Sequence, residues 1–203
     1  MPVSDAGRVA GVLIRSAAMA ALLGVAISAV AAQHAETPAS ARLDAKVAAD
    51  FLERVNAYAA LHRKLEAAGP RLPDAATPQQ IDQAQRELAA RIQSARAGGA
   101  RGDLFTPEVT VFVKGLLKQV FAGPDGQQLR SSIMDENVKF IALKVNQRYP
   151  DAIPFASMPP EVLAALPTLP EQMEYRFVGD QLILLDPHAH IIADFIPDAM
   201  PER

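Results

Sequence analysis

The sequence predicts an α+β protein in which helices come first and an antiparallel sheet comes last. Half of the 203 residues are hydrophobic but only 5% are aromatic, a composition that favours helices packed through small side chains. Between residues 43 and 136, apolar side chains recur at steps of three and four, as in amphipathic helices. From residue 173 to residue 196 the pattern changes to the period of two that is typical of strands.

The first 32 residues have the layout of a secretory signal peptide. Arg8 and Arg15 precede an uncharged run over residues 16–32, which ends in Val-Ala-Ala and so places small residues at a signal-peptidase site. This run is shorter and richer in alanine than the ~20 strongly apolar residues of a spanning helix. We therefore expect a signal peptide over 1–32 and a protein that is periplasmic or secreted. Retention of the segment as a membrane anchor is the alternative.

Composition excludes several classes of protein. The chain contains no cysteine, so a disulfide, a thiolate metal site and a lipidated N-terminal cysteine are excluded. The formal net charge is −3, whereas a nucleic-acid-binding domain normally carries a basic excess. A chain of this length can nevertheless bury a stable core without covalent cross-links.

A helical region is predicted over 43–136, after a flexible lead-in over 33–42 that is rich in alanine, serine, threonine and proline. The apolar stripe of its first helix runs from Val47 to Leu65, and the Gly-Pro pair at 69–70 ends that helix. We expect this helix and the next to form an antiparallel hairpin, because the connection between them is short.

Two later helix starts share the same local chemistry. Thr77-Pro78 and Thr106-Pro107 each combine a threonine N-cap with a proline in the first turn, and Gln80 can complete a capping box with Thr77. A shorter helix is expected at 127–136, and a brief helical turn is expected after Met158. The segment 138–145 is rich in β-branched and apolar residues, so it is either a fourth strand or a continued helix.

The last region, 137–203, is predicted to be a three-stranded antiparallel meander that packs on the helices as one domain. Gly179-Asp180 fits a two-residue hairpin turn, and pairing Val178 with Gln181 brings large apolar side chains of two strands onto one face. A four-residue second turn adds three third-strand side chains to this face: Ile191, Ala193 and Phe195. This register keeps Asp194 on the opposite face, which is mixed in polarity, so only the first face is expected to be a core face.

Part of the chain resembles a known group of proteins. The matching runs are Arg148-Tyr149-Pro150, Met158-Pro159-Pro160, Leu166 to Glu171, Glu174 to Gly179 and Ala193-Asp194-Phe195-Ile196. Over residues 148–197 the chain is similar to an uncharacterised family of small, signal-peptide-bearing bacterial proteins, which share Tyr-Arg-Phe-Val-Gly, Leu-x-Leu-x-Asp and Asp-Phe-Ile in a C-terminal β-meander. The resemblance implies export and the meander, and it implies no activity.

One cluster of potential metal ligands lies in the meander. Asp186, His188, His190 and Asp194 offer imidazole and carboxylate groups at alternate positions, as a zinc site in a small metal-dependent hydrolase would require. Pro187 interrupts this alternation, because Asp-Pro is typical of a turn. His62, on the first helix, is interpreted as a residue at the edge of the apolar stripe.

The sequence shows no nucleophile elbow and no phosphate-binding loop. It therefore predicts no catalytic residue, no cofactor and no metal site beyond the candidate cluster of Asp186, His188, His190 and Asp194. The functional hypothesis that remains is a non-enzymatic periplasmic or secreted interaction module with an unknown protein partner in the cell envelope. The alternatives are the metal-dependent hydrolase and a membrane-anchored accessory protein, which would contact the membrane only if the signal is retained.

Overall fold

The computed structural model describes residues 39–136, 142–151, 153, 156 and 158–201. The helices within these residues are α1 (Ala39–Ala67), α2 (Pro78–Ala95), α3 (Pro107–Phe121), α4 (Gly126–Glu136) and α5 (Pro160–Ala165). The strands are β1 (Glu174–Val178), β2 (Gln181–Asp186) and β3 (Ile191–Ile196). The predicted α+β class, with helices first and an antiparallel sheet last, is confirmed.

The helix starts have the capping chemistry that the sequence predicts. At α2, the Gln80 backbone N–H donates to Thr77 Oγ1 over 3.3 Å, and Gln80 Oε1 accepts from the Thr77 backbone N–H over 2.8 Å. At α3, Thr106 Oγ1 accepts from the backbone N–H of Val109. These bonds satisfy donors that the first turn of a helix leaves free. Helix α1 begins at Ala39, so the end of the predicted lead-in, 33–42, is helical.

Helix α1 packs against both α2 and α3, and their shared core continues onto one face of the sheet. The rings of Phe51 and Phe105 stack with centroids 5.5 Å apart. The fully buried helical side chains in this core include Phe51, Val55, Ile92, Val113 and Leu117. No helix among the described residues is both long and apolar enough to cross a membrane, and the predicted signal over 1–32 lies outside those residues.

The first hairpin has the predicted register. Val178 pairs with Gln181 and Phe177 with Leu182, and Gly179 occupies the turn with φ of +62°, a conformation that glycine adopts without steric cost. The second connection also has the expected length, since Asp186 pairs with Ile191 across a four-residue loop.

Strand β3 departs from the predicted alternation. Leu185 pairs with Ile192 and Leu184 pairs with Asp194, which leaves Ala193 as the extra residue of a β-bulge. Because the bulge shifts the alternation by one, Ile196 packs with the helices while Phe195 joins a cluster on the other face. The predictions that Phe195 faces the helices and that Asp194 points away from them were therefore wrong.

The second sheet face is also covered, contrary to the prediction of a single core face. Tyr149 packs there on a cluster of side chains from all three strands, namely Val178, Ile183, Leu185, Ile192 and Phe195. Its segment runs along the edge of β3, where the Asn146 backbone N–H donates to the Ile192 carbonyl over 2.9 Å. A strand or a continued helix was predicted over 138–145. Residues 138–141 lie outside the described residues, and residues 142–145 form neither a strand nor a helix.

Candidate functional site

The candidate site begins with a histidine buried on α1. Phe51, Val55 and Tyr58 follow one another at steps of three and four residues on the core face, and His62 is the next position of the same stripe. The His62 side chain is fully buried, so the interpretation of His62 as a residue at the edge of the stripe was wrong. A buried imidazole needs a polar partner, and β2 provides one.

Asp186, the last residue of β2, is that partner, and its carboxylate is also fully buried. Its Oδ2 atom lies 2.6 Å from His62 Nδ1 and accepts a hydrogen bond from the Tyr58 hydroxyl over 2.9 Å. Its Oδ1 atom accepts from the backbone N–H of Ala189 over 2.9 Å, which fixes the loop that follows. One carboxylate thus joins α1 to the second hairpin turn.

The carboxylate changes the acid–base properties of both α1 side chains. Burial raises the pKa of Tyr58 far above its ordinary value, and the charge of Asp186 adds to this. Burial lowers the pKa of His62, but the hydrogen bond and charge of Asp186, together with Glu66, outweigh that effect and raise it above the ordinary value. An apolar core therefore contains a carboxylate–imidazole pair.

The position of Asp186 also fixes which nitrogen of His62 carries the proton when the ring is neutral. An ionised carboxylate only accepts hydrogen bonds, so Nδ1 holds the hydrogen and Nε2 holds the lone pair. Nε2 is buried and makes no hydrogen bond with any described residue. The lone pair of Nε2 is thus available for a ligand.

Two further side chains converge on this nitrogen. Glu66, one helical turn after His62, places Oε2 3.4 Å from His62 Nε2, and His188, in the loop after β2, places Nδ1 3.5 Å from Glu66 Oε1. One ligand atom from each of the three residues lies within 4.8 Å of the others. Ligands about 2.1 Å from a tetrahedral zinc ion lie about 3.4 Å from one another. The two distances that involve Glu66 are close to this value, although they run to different oxygens of its carboxylate.

A cavity of about 520 Å³ opens beside these groups. Glu66 and His188 both line it, together with the C-terminal end of α1 and one side of α2. The His188 side chain is 46% exposed, in contrast to the buried His62. The three groups therefore lie between the core and a solvent-accessible space.

The structure separates the four metal-ligand candidates of the meander. His188 belongs to the three-residue group, whereas Asp186 lies behind it as the partner of His62. His190 Nδ1 contacts Asp151 at 3.1 Å. Asp194 Oδ2 accepts hydrogen bonds from the backbone N–H groups of Gly102, Leu104 and Phe105, so its carboxylate holds the α2–α3 connection in place.

The sequence reasoning missed two residues of this site. Tyr58 was treated as a member of the apolar stripe, and Glu66 was not considered. The available signal was the spacing of His62 and Glu66, since residues four apart lie on the same face of a helix and can share a ligand. The contribution of His188 depends on how the sheet packs on α1, and no local pattern shows that packing.

No protein-family model matches this chain, and neither a curated protein nor a solved structure matches it. The resemblance of residues 148–197 to a family of exported bacterial proteins therefore stays a prediction.

Proposed function

We propose that this chain is an exported metal-binding protein that holds one divalent transition-metal ion, with zinc as the preferred ion, at His62, Glu66 and His188. The observation that carries the proposal is the convergence of one ligand atom each from His62, Glu66 and His188 within 4.8 Å of one another. The buried Nε2 atom of His62 makes no hydrogen bond with the described residues and lies 3.4 Å from Glu66 Oε2. Export rests on the signal-like composition of residues 1–32, and it stays a prediction.

The pair of Asp186 and His62 supports a metal site in particular. Histidine ligands of metals commonly donate their other ring N–H to a carboxylate, which fixes the ring and increases the basicity of the ligating nitrogen. Asp186 Oδ2 occupies that position at 2.6 Å from Nδ1. Without a metal ion, a protonated His62 ring pairs with Glu66 Oε2 at 3.4 Å, whereas a neutral ring leaves the buried Nε2 lone pair without a donor, which is a cost.

The types of ligand favour zinc or a neighbouring transition metal over calcium or magnesium. Two imidazole nitrogens and one carboxylate are typical of zinc sites, whereas calcium and magnesium prefer oxygen ligands. Three protein ligands leave a coordination position open, and the cavity lies on the side of Glu66 and His188. The interaction module with an envelope partner stays a prediction, because no geometric feature of the described residues specifies a partner.

We expect the purified full-length chain, stripped with a chelator and titrated with zinc chloride in a calorimeter, to bind one zinc ion. His188→Asn removes one of three ligands and should weaken zinc binding by about 100-fold or more, since even residues behind the ligands contribute 10–100-fold.

His190→Asn is the matched control, because His190 lies two residues further along the same loop and contacts Asp151 instead. It should change zinc affinity by no more than about twofold, since it removes no proposed ligand. Equal affinities of the two variants, or no saturable zinc binding by the unmodified chain, would contradict the proposed function.

The open coordination position also makes a metal-dependent hydrolase the second candidate. Its metal ligands would be His62, Glu66 and His188, of which the sequence suggested only His188. A bound zinc ion would supply a water molecule of lowered pKa. The residues of this chain would hold that centre at the wall of a cavity large enough for a substrate. Zinc-dependent cleavage of a chromogenic ester that is lost in His188→Asn would assign this activity.

A further inference from the structure

We propose that the cavity beside the metal ligands binds a small organic anion with an apolar body, whose carboxylate or phosphate group is held by cavity arginines and reaches the metal ion. The contact with the metal rests on the proposed function. The contacts with the cavity wall do not, and they can be tested on the metal-free chain.

The size and the walls of the cavity fit an organic molecule. Its volume of about 520 Å³ lies within the 300–1,000 Å³ that is typical of small-molecule sites. Leu72 and Ile81 line it and are 45% and 43% exposed. The buried Leu88 also lines the cavity. These side chains provide an apolar surface for the body of a ligand.

The charge of the cavity wall favours an anion. Three arginines line the cavity, Arg63, Arg71 and Arg91, against one carboxylate, Glu66. Among the described residues, none of these arginines has a carboxylate within ion-pair distance, and Arg63 donates instead to the neutral Gln172 Oε1 over 2.9 Å. The positive charge of the wall is therefore not neutralised locally.

Arg91 is held close to the end of α1. A Cβ atom on Gly69 would lie 2.5 Å from the nearest guanidinium nitrogen of Arg91, so a larger residue at position 69 would displace the end of this side chain. The Nε atom of Arg91 is buried and makes no hydrogen bond with the described residues. A buried guanidinium N–H without an acceptor is costly, and a carboxylate or phosphate oxygen is the acceptor that matches its geometry.

The metal ligands border the same space. Because Glu66 and His188 line the cavity with the arginines, an anion bound by Arg91 shares this space with two of the proposed metal ligands. A neutral amide can accept a hydrogen bond from the guanidinium but does not offset its charge, so a neutral molecule should bind more weakly than an anion of the same length.

The test is a titration of the ¹⁵N-labelled full chain, followed by amide chemical shifts in NMR spectra, first without metal. The probes are hexanoate, hexyl phosphate and the neutral hexanamide. We expect saturable shifts at the cavity wall with the anions and at least about tenfold weaker binding of hexanamide. The tighter of the two anions identifies the preferred head group.

Two substitutions on α2 provide a matched comparison. Arg91→Gln should weaken binding of the anions about tenfold, because it removes a charge-assisted contact. Arg86→Gln should leave binding unchanged, since Arg86 pairs with Asp82 and Asp151 outside the cavity. If Arg91→Gln fails to fold, Arg71→Gln in the α1–α2 connection tests the same charge.

The two proposals fail in different ways. Hexanamide binding as tightly as the anions, or no anion binding with zinc binding intact, would overturn the anion site and leave the metal site. Anion binding that is weakened by Arg91→Gln in a chain that binds no zinc would support the cavity contacts and remove the metal contact. With both proposals correct, saturation with zinc should tighten anion binding at least about threefold, because the anion gains a metal bond.

Discussion

Replacing Asp194 by alanine is expected to lower the free energy of unfolding by about 4 kcal/mol, because it leaves several buried donors without an acceptor. The carboxylate of Asp194 is fully buried in β3. Its Oδ2 atom lies 2.9 Å from the Leu104 backbone nitrogen and 2.8 Å from that of Phe105, and the Gly102 N–H also points at it over 3.1 Å.

These three N–H groups belong to the connection between α2 and α3. Phe105 stacks on Phe51 of α1, so an unsupported connection would also disturb the helical core. Each buried backbone group that loses its partner costs roughly 1–3 kcal/mol. The individual costs are not additive, because the connection can rearrange to expose some donors to water.

Urea-induced unfolding of the full chain, followed by circular dichroism, measures this effect. Asp50→Ala is the control, because Asp50 is exposed on α1 and its replacement should change the free energy of unfolding by less than about 0.5 kcal/mol. A loss below about 1 kcal/mol for Asp194→Ala would show that this carboxylate does not hold the connection.

The second large effect is expected from Asp186→Asn, which keeps the size of the side chain but removes its charge. Asp186 contacts both Tyr58 and His62 in a fully buried position. Removing one member of a buried charged pair typically costs about 3–5 kcal/mol. We expect a loss of about 3 kcal/mol here, since the amide can still accept one of the hydrogen bonds.

This substitution should also reduce a pH dependence of stability. The pKa of His62 is raised in the folded chain, so His62 binds its proton more tightly when folded than when unfolded. Its contribution to stability is therefore complete below the unfolded value of about 6.5 and is lost as the pH rises through the folded pKa. The metal-free chain should become less stable from pH 6 towards pH 8, and Asp186→Asn should reduce this slope.

Zinc binding should show the opposite trend, because a metal ion competes with the proton for His62. Zinc affinity should rise over the same pH interval and fall about 10–100-fold in Asp186→Asn, since the ring loses the partner that orients it. Asp151→Asn is the matched control, because Asp151 contacts His190 at the surface. If stability fell equally steeply with pH in these two variants, the role of Asp186 would be contradicted.

The sequence predicted those parts of the fold that depend on local chemistry. The threonine–proline starts of α2 and α3 and the register of the first hairpin are set by residues close together in the chain, and the structure confirms them. The bulge at Ala193 was not predicted, and it occurs next to Asp194, whose contacts lie in the α2–α3 connection, far away in the sequence. Alternation alone favours a regular strand there.

The site was harder to predict because it also depends on contacts between residues that are far apart in the sequence. Asp186 and His188 were recognised as candidate ligands, but the sequence grouped them with neighbours in the chain, His190 and Asp194. The structure instead brings Asp186 to His62 across 124 positions. That contact depends on the packing of the sheet against α1, and neither partner carries a local pattern that indicates the other.

The most direct test of the metal site is a crystal of the full chain grown with zinc, with diffraction data collected above and below the zinc absorption edge. We predict one strong anomalous peak about 2.1 Å from His62 Nε2, with Glu66 and His188 as the other protein ligands. A peak located elsewhere, for example between His190 and Asp151, or no peak at His62 in a zinc-saturated crystal, would contradict the account.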